Sequence, residues 1–513
     1  MKDMSSLRVE RTEHVLAYDF GTGGIKACLF DAEGACVASG FSAYETFYPA
    51  DGFREQRPDD WWRATVDSTH ALTARLTEEQ VRTIRGIGIS GHSLGVVPID
   101  GAGRLLCASV PIWSDSRADA EAKMFFTAWG ADEAAWYGQT GCGFPAGLYS
   151  VFKMMWLRAH EPALWDRVDC VLGTKDYVNF RLTGVRATDN SYASGSGVYD
   201  LRARRYSDEL IAASGLSPRV FPEIVPSAHV LGPLTAAAAA ELGLPAQIPV
   251  VAGGVDNSCM ALGAGAYREG VAYNSLGSSS WIAVSSAEPL LDEKARSYVF
   301  DHVVPGQYAS ALAIFSAGTS LTWLRDVLGL DYPTMDRLAE EAGALAHGLM
   351  FNPTLAGGGA LDETPAMRGG FANLDLRHTR GDLVRAVMEG VAFGLRTVLD
   401  RFKAQTTVAE PLLLVGGGAK SAVWRQIYAD AYGMTVRAAP IGQHCAALGA
   451  AALVGVGTGL WKDFGIVDRA VGGEGEIVAP IDAHRERYAR AYERFAGLSR
   501  HLGLWAKEKE VSV

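Results

Sequence analysis

The first hydrophobic pattern in the chain is a pair of apolar runs on either side of a glycine-rich turn. Val15–Phe20 and Ile25–Phe30 flank the turn Gly21–Gly24. Short apolar runs joined by small residues are typical of a β-hairpin, so we predict two strands here and a third over Val37–Tyr44. The same reasoning predicts strands at Ile84–Ser90, Gly95–Asp100, Ile248–Ala252 and Pro411–Val415.

Segments with helical spacing of apolar residues alternate with these strands. Pro58–Leu76 carries two acidic residues in its first turn, where the helix dipole favours negative charge. Arg380–Phe402 is a long amphipathic segment with Thr379 available as its N-cap. Further helices are predicted at Thr235–Leu242, from Ser421 onward and over Ala483–Lys509. The alternation predicts an α/β protein.

The opening pattern returns near the middle of the chain. Residues 276–283 (LGSSSWIA) align with residues 20–27 (FGTGGIKA) at an offset of 256 residues. A single repeat of such long period predicts two similarly folded lobes rather than a solenoid. We expect the lobes at residues 12–262 and 263–480, followed by a helical tail at residues 481–513.

Composition excludes several classes of protein. The chain has 47 Lys and Arg against 58 Asp and Glu, a net charge of −11, and no basic block. This balance argues against nucleic acid or an anionic membrane as the main partner, although it allows a small anionic ligand. The longest apolar run, Ala446–Leu460, is shorter than a membrane span and rich in glycine, which predicts a packed buried helix.

The cysteine and histidine patterns give no sign of disulfides or of a metal cage. The seven cysteines are odd in number and scattered, without a C-x-x-C pair. This pattern and the polar N-terminus predict reduced thiols in a cytoplasmic protein. The eleven histidines show no ligand spacing that we recognise as a metal site.

Three clusters of small residues follow apolar strands, at Gly21–Gly24, Gly277–Ser280 and Gly416–Ala419. Small residues let backbone N–H groups approach phosphate oxygens without an intervening Cβ atom. Asp19 precedes the first cluster and can face Mg²⁺ beside the phosphates, and Lys26 can add a positive charge. Each cluster taken singly is also compatible with an ordinary tight turn.

Other nucleotide motifs fail on inspection. No Gly-Lys pair occurs anywhere in the chain, so a Walker A loop is excluded. The dinucleotide fingerprint fails at the first turn because Lys26 occupies the position of the third glycine.

A hydrolase motif is the main rival. Gly91–Gly95 fits the G-x-S-x-G elbow, in which Ser93 would be the nucleophile of an esterase. The elbow must open a helix, but the following residues, Val96–Asp100, include Pro98 and favour a strand. The esterase is therefore a distant alternative.

A candidate catalytic carboxylate follows the predicted strand Ile248–Ala252. Asp256 lies in the sequence Gly253-Gly-Val-Asp-Asn257, at the seam between the two expected lobes. A carboxylate at the floor of such a cleft can accept the proton of a hydroxyl that attacks a phosphoryl group. The alternative is a helix-capping aspartate.

The ordered set of these motifs resembles the FGGY family of carbohydrate kinases, and most of all its xylulokinase-like branch. The resemblance spans about Val15 to Gly459. The segments that carry it are Asp19–Lys26, Phe53–Trp62, Trp113–Arg117, Lys153–Leu157, Lys175–Tyr177, Arg181–Gly184, Asp256–Asn257, Leu276–Ser280, Ser316–Ser320, Gly416–Ser421, Trp424 and Ala429–Asp430.

The resemblance implies a two-lobed actin/Hsp70-type ATPase (ribonuclease H-like) fold and transfer of the γ-phosphoryl group of MgATP to a sugar hydroxyl, with Asp256 as catalytic base. It also allows a homodimer. The implied sugar-binding residues are His92, Ser93, Leu94, Trp113, Asp115, Arg117, Asp256 and Asn257. The implied ATP-binding residues are Asp19 (also the Mg²⁺ ligand), Gly21, Thr22, Gly23, Gly24, Lys26, Gly277, Ser278, Ser279, Gly318, Thr322, Gly417, Gly418, Ala419 and Ser421.

The chain departs from the family pattern near the expected sugar site. Xylulokinases carry Met-His-Gly where this chain has Ser93-Leu94-Gly95, and His92 either substitutes for the missing histidine or is a solvent-facing or capping residue. Asn373 replaces a usual glycine, and Leu148 departs from the first family signature. A ketopentose such as xylulose is the favoured substrate, and another ketose, a polyol or a sugar acid stays open. A chaperone-like ATPase would need the phosphate turns without Trp113–Arg117 and Asp256–Asn257.

Overall fold

The computed structural model describes residues 13–359, 361–438, 444–472 and 475–510. Its framework is a pair of seven-stranded sheets, one in each half of the chain. The strands of the first sheet are β1 (His14–Gly21), β2 (Gly24–Phe30), β3 (Cys36–Ala43), β4 (Ile84–Gly91), β5 (Val230–Pro233), β6 (Pro249–Val251) and β7 (Gly254–Val255). Those of the second are β8 (Ala272–Leu276), β9 (Ser280–Ser286), β10 (Tyr298–Asp301), β11 (Tyr308–Ile314), β12 (Leu412–Val415), β13 (Val436–Ala438) and β14 (Ile477–Val478).

The two sheets share one topology. The first runs β3-β2-β1-β4-β6-β5, with β7 also paired to β4, and the second runs β10-β11-β9-β8-β12-β13-β14. The first sheet begins with three antiparallel strands and the second with four, because β10 adds an extra edge strand; in both, two parallel strands and an antiparallel edge strand follow. Hairpin β1–β2 therefore corresponds to hairpin β8–β9, and the predicted two-lobed α/β fold is confirmed. The lobe boundaries at residues 262 and 480 stay a prediction.

Helices cover the sheets and fill the space between them. They are α1 (Pro58–Thr73), α2 (Glu78–Arg82), α3 (Asp119–Trp129), α4 (Glu133–Thr140), α5 (Ser150–His160), α6 (Pro162–Trp165), α7 (Thr174–Thr183), α8 (Asn190–Ala193), α9 (Asp208–Ser214), α10 (Ala236–Leu242), α11 (Asp256–Gly263), α12 (Gly318–Leu328), α13 (Tyr332–Ala342), α14 (Arg380–Lys403), α15 (Ala422–Tyr432), α16 (Cys445–Gly457), α17 (Gly465–Val471) and α18 (Asp482–Glu510). Five two-stranded ribbons complete the fold: Glu55–Gln56 with Val110–Pro111, Val97–Ile99 with Cys170–Leu172, Ala187–Asp189 with Glu223–Val225, Tyr199–Asp200 with Arg205–Tyr206, and Met350–Asn352 with Gly370–Ala372.

The predicted N-cap of the long helix α14 is confirmed, and the predicted helix starts at Thr235 and Ser421 are caps as well. Thr379 accepts a hydrogen bond from the backbone N–H of Asp382, whose carboxylate accepts one from the N–H of Thr379. This reciprocal pair fixes the start of α14. Thr235 and Ser421 cap α10 and α15 in the same way through one bond each.

The segment after Ser93 is a strand. Val97–Ile99 pairs with Cys170–Leu172, and no helix begins at Gly95. The structural context that a nucleophile elbow requires is therefore missing, and the esterase alternative has no support from the fold.

The helix predicted for the longest apolar run lies between the sheets. It is α16, which packs against β1 and β4 of the first sheet and crosses α11 closely. A Cβ atom at Gly263 of α11 would lie 1.7 Å from the carbonyl oxygen of Cys445, and one at Gly449 would lie 1.9 Å from that of Cys259. The glycines in this run thus allow the backbones to meet, and this crossing fixes α11, whose first residue is Asp256. Within the described ranges, no helix is long and apolar enough to cross a membrane.

Candidate active site

Asp256 and Asp19 lie at the same edge of the first sheet. In β7, Gly254 pairs with Ser90 of β4, and Ser90 pairs on its other side with Asp19 of β1. Because these strands are parallel, their carboxyl ends meet at one edge of the sheet. Asp19 and the first residue of α11 are thereby brought into electrostatic contact.

The environment of Asp256 allows its carboxyl group to gain or lose a proton near neutral pH. Burial, with a smaller contribution from the negative charge of Asp19, raises the pKa of Asp256 from 3.8 to about 7. The backbone N–H of Asn257 donates to Oδ1 of Asp256 at 2.7 Å and opposes the increase. A carboxylate with such a pKa is suited to act as a general base.

The first predicted phosphate turn, Gly21–Gly24, lies at the tip of hairpin β1–β2 beside Asp19. Asp19 is opposite Lys26 in the β1–β2 hairpin, and the pKa of Asp19 is raised by burial, an effect that Lys26 opposes. Thr22 and Gly23 are exposed at the tip of the turn. The Nε2 group of Gln56, a residue buried below the turn, donates to the carbonyl oxygen of Thr22 at 2.7 Å. The turn is therefore rigid at its base and open at its tip.

The second predicted phosphate turn, Gly277–Ser280, is hydrogen-bonded to the start of α12. Gly277 and Ser278 are exposed at the tip of hairpin β8–β9. The N–H groups of Ala317 and Thr319 both donate to the carbonyl oxygen of Ser278 at 3.1 Å, and the N–H of Gly318 donates to that of Gly277 at 3.0 Å. A Cβ atom at Gly318 would lie 2.4 Å from this last oxygen. Only a glycine allows this approach.

The third small-residue cluster lies against the same hairpin. Gly416 has a φ of +97°, and a Cβ atom there would lie 2.7 Å from the carbonyl oxygen of Leu276. Gly417 is exposed, whereas Ala419 is buried, and a Cβ atom at Gly418 would contact Leu276 and Trp424. The structure thus brings the second and third clusters together around Leu276.

Two hydroxyl groups predicted to contact the nucleotide bind other protein groups. The hydroxyl of Ser421 donates to Asp336 at 2.8 Å and accepts the N–H of Trp424. The hydroxyl of Thr322 lies 2.9 Å from that of Tyr332. The hydroxyl of Ser421 therefore joins the start of α15 to α13, and that of Thr322 joins α12 to α13.

The predicted sugar residues divide into exposed and buried sets. Trp113 is 37% exposed, and its Nε1 group donates to the hydroxyl of Thr22 at 3.0 Å, so it borders the first phosphate turn. His92 is enclosed by the rings of Phe20 and Trp61, and burial lowers its pKa to about 4. Its Nε2 atom has no hydrogen-bond partner among the described residues. His92 is therefore a neutral, enclosed imidazole, and the solvent-facing alternative is wrong.

Asp115 and Arg117 form a buried ion pair with each other. The Arg117 guanidinium donates to both oxygens of Asp115 at 2.8 and 2.7 Å and to Glu55 at 2.7 Å. The N–H of Arg54 donates to Asp115 at 2.6 Å, and Asp115 has no exposed surface. In this structure the pair supports the segment that carries Trp113 rather than presenting free polar atoms.

Lys153 joins two parts of the predicted sugar site, although the sequence pattern alone gave it no role. Its buried ammonium group donates to the carbonyl oxygen of Leu94 at 3.1 Å and to that of Ile112 at 2.6 Å. Leu94 has a φ of +61°, and Ser93 beside it is buried. The lysine thus fixes the backbone at Leu94 relative to the segment that leads into Trp113.

A second buried lysine holds the strand that carries Asp256. Lys175 pairs with Asp176 at 2.5 Å and with Asp189 at 2.9 Å, and its Nζ also donates to the carbonyl oxygen of Ala252 at 3.2 Å. The hydroxyl of Ser191 donates to Asp189 at 2.5 Å and accepts the N–H of Val255 at 2.9 Å. These hydrogen bonds therefore fix the backbone at both ends of residues 252–255, directly before the candidate base Asp256.

Comparison with known proteins gives a consistent result. The model of the FGGY family of carbohydrate kinases matches residues 14–263 with its N-terminal domain and residues 272–458 with its C-terminal domain. The xylulose kinase of Klebsiella pneumoniae is 31% identical over 94% of this chain and 99% of its own. The crystal structure of xylulose kinase from Rhodospirillum rubrum is 31% identical, with a TM-score of 0.87 over 96% of this chain and 100% of that one. The gluconokinase of Bacillus licheniformis is 27% identical over 96% of both chains.

Proposed function

The chain belongs to the FGGY family of carbohydrate kinases, and from that premise we propose that it transfers the γ-phosphoryl group of MgATP to a hydroxyl of a ketopentose such as xylulose, with Asp256 as the proton acceptor. The observation that carries the catalytic assignment is the position of Asp256 at the sheet edge beside Asp19, with a pKa of about 7. An unprotonated carboxylate there takes the proton of the attacking hydroxyl.

The residues present fit a magnesium-bound nucleotide. The exposed tips at Thr22–Gly23 and Gly277–Ser278 lack bulky side chains, so their backbone groups can approach phosphate oxygens. The Asp19 carboxylate is an oxygen ligand of the type that Mg²⁺ prefers. When bound, the metal neutralises charge on the phosphates. Lys26, opposite Asp19, adds a positive charge at the first turn.

The substrate proposal rests on the relatives and on the site near Leu94. The relatives named above include two xylulose kinases, which favours a ketopentose. The gluconokinase relative and the leucine at position 94, where xylulokinases carry a histidine, favour a sugar acid as the second candidate. Trp113, next to Thr22, borders either sugar.

A panel of substrates tests the choice. ADP release should be measured with D-xylulose, D-xylose, xylitol and D-gluconate at equal enzyme concentration. We expect the highest kcat/KM with D-xylulose. A higher value with D-gluconate would make the ketopentose assignment wrong and leave the kinase activity in place.

The pH dependence of catalysis should report the raised pKa of Asp256. A general base must be unprotonated, so kcat/KM should fall about tenfold per pH unit below pH 7. A carboxylate at its ordinary pKa of 3.8 would retain activity down to about pH 5. The profile should be measured with circular dichroism at each pH to exclude unfolding. Equal kcat/KM at pH 5.5 and pH 8 would contradict the assignment.

Gly318→Ala should weaken ATP binding. The new Cβ atom would lie 2.4 Å from the carbonyl oxygen of Gly277 and push the second phosphate turn away from α12. Loss of one hydrogen bond to a charged phosphate corresponds to an increase of at least about tenfold in the KM for ATP. Gly497→Ala is the matched control, because a Cβ atom there meets nothing within 4 Å. An unchanged KM for ATP in Gly318→Ala would show that this contact does not shape the site.

A further inference from the structure

Two thiols and an imidazole meet outside the candidate active site. Cys28 lies on β2, Cys36 is the first residue of β3, and His444 directly precedes α16. One potential ligand atom from each residue lies within 4.8 Å of the others, and Sγ of Cys28 is 3.5 Å from Nδ1 of His444. Nothing in the proposed kinase reaction uses these three side chains.

The separation of these atoms fits a tetrahedral zinc centre. Zinc binds thiolate sulfur at about 2.3 Å and imidazole nitrogen at about 2.0 Å, so a tetrahedral site separates the two by about 3.5 Å. In the structure, the distance between Sγ of Cys28 and Nδ1 of His444 has this value. We propose that Cys28, Cys36 and His444 bind one Zn²⁺ ion, with a water molecule as the fourth ligand.

The cluster is held in place by contacts on both sides. The turn between β2 and β3 is fixed by the Asp31 carboxylate, which accepts the N–H groups of Glu33 and Ala35. The indole N–H of Trp461 donates to the carbonyl oxygen of Ala32 at 3.0 Å and attaches the turn to the C-terminal half of the chain. These contacts fix the turn that separates Cys28 from Cys36.

The burial of the three ligands suits a bound metal ion. Cys28 is fully buried, whereas Cys36 and His444 are partly exposed and leave a path for the ion to enter. Lys26 acts electrostatically on both thiols and favours their deprotonated form, which is the form that binds zinc; Asp19 opposes this effect at Cys28 and Asp31 opposes it at Cys36. Two thiolates would neutralise the charge of the bound zinc.

A bound ion would join distant parts of the fold. It would connect hairpin β2–β3 of the first sheet to α16, more than 400 residues later in the chain. Because only the folded chain brings the three ligands together, zinc should raise the unfolding temperature of the protein.

Metal binding by the reduced, full-length protein tests the site. After removal of metal with a chelator, Co²⁺ should bind at one equivalent and give a thiolate-to-metal charge-transfer band, which Zn²⁺ should abolish by displacement. Cys28→Ser, Cys36→Ser and His444→Ala should each lower zinc affinity by about 100-fold or more, measured against a chelating dye. Cys107→Ser is the matched control, since this half-buried thiol lies outside the cluster and should leave affinity unchanged.

The outcome separates a built site from incidental binding. Absence of the charge-transfer band in the wild type, or equal zinc affinity in Cys28→Ser and the wild type, would overturn the proposal. Circular dichroism of each variant without metal shows whether the fold is retained. A variant that keeps its fold and loses the zinc-dependent rise in unfolding temperature supports the site.

Discussion

Asp256→Asn is expected to lower kcat for sugar phosphorylation by about 100- to 10,000-fold while nucleotide binding persists. The amide has nearly the same size as the carboxylate but cannot accept the proton of the attacking hydroxyl. Proton transfer by a positioned base contributes about 100- to 10,000-fold to rate, and the raised pKa of Asp256 makes it the group suited to this step. The phosphate turns at Gly21–Gly24 and Gly277–Ser280 are separate elements, so they should still bind ATP.

Single-turnover phosphoryl transfer and ATP affinity should be measured on the same preparation of this variant. Asp67→Asn, an exposed change on α1, is the matched control and should keep wild-type kcat. If Asp256→Asn retained more than one tenth of the wild-type kcat, another group would have to be the base.

Lys175→Met is expected to lower the free energy of unfolding by about 3–5 kcal/mol. The change removes the ammonium group that pairs with Asp176 and Asp189, both of which are buried, and leaves two carboxylates without their cation. Breaking a buried ion pair by removing one partner has a cost of this size. Because Lys175 also donates to the carbonyl oxygen of Ala252, the strand before Asp256 should shift and kcat should fall as well.

Denaturant unfolding of the wild-type protein and of Lys175→Met measures the loss in the free energy of unfolding. Lys123→Met on α3 is the matched control, since its side chain is exposed and should change stability by less than about 0.5 kcal/mol. The double variant Lys175→Met with Asp189→Asn should recover part of the loss, because one unpaired buried charge is removed. A loss below about 1 kcal/mol in Lys175→Met would mean that water or another cation already compensates the two carboxylates.

The local sequence pattern was sufficient to predict those parts of the site that are formed by a single turn and its neighbouring residues. Each phosphate hairpin is encoded by two apolar runs and a small-residue turn, and the offset of 256 residues follows from the shared topology of the two sheets. The boundary of α14 follows from Thr379 and Asp382, whose reciprocal bonds are local. Such features depend on neighbours within a few residues, so one sequence is enough to predict them.

The local pattern could not predict contacts between residues that are far apart in the sequence. Nothing in the sequence around Lys175 shows that Asp189 and Ala252 will surround its ammonium group, because these contacts depend on tertiary packing. For the same reason the proposed zinc ligands could not be recognised from the sequence. Cys28 and Cys36 lie eight positions apart, but His444 comes from the other half of the chain.

The predicted sugar site shows most clearly what could not be predicted from the sequence. Family resemblance implied that Asp115 and Arg117 face the sugar, yet the structure pairs them with each other and with Glu55. Their polar atoms are satisfied inside the protein. The role of the segment Trp113–Arg117 stays a prediction, and the direction of its side chains could be seen only in the fold.

The sugar dependence of ATP turnover tests the central claim most directly. ADP formation by the full-length protein should be followed at pH 8 with MgATP, with and without D-xylulose. Because the sugar supplies the attacking hydroxyl, we expect ADP release to rise by at least about 100-fold when the sugar is added, with one sugar phosphate formed per ADP. Equal rates of ADP release with and without D-xylulose and the other sugars of the panel would contradict the account.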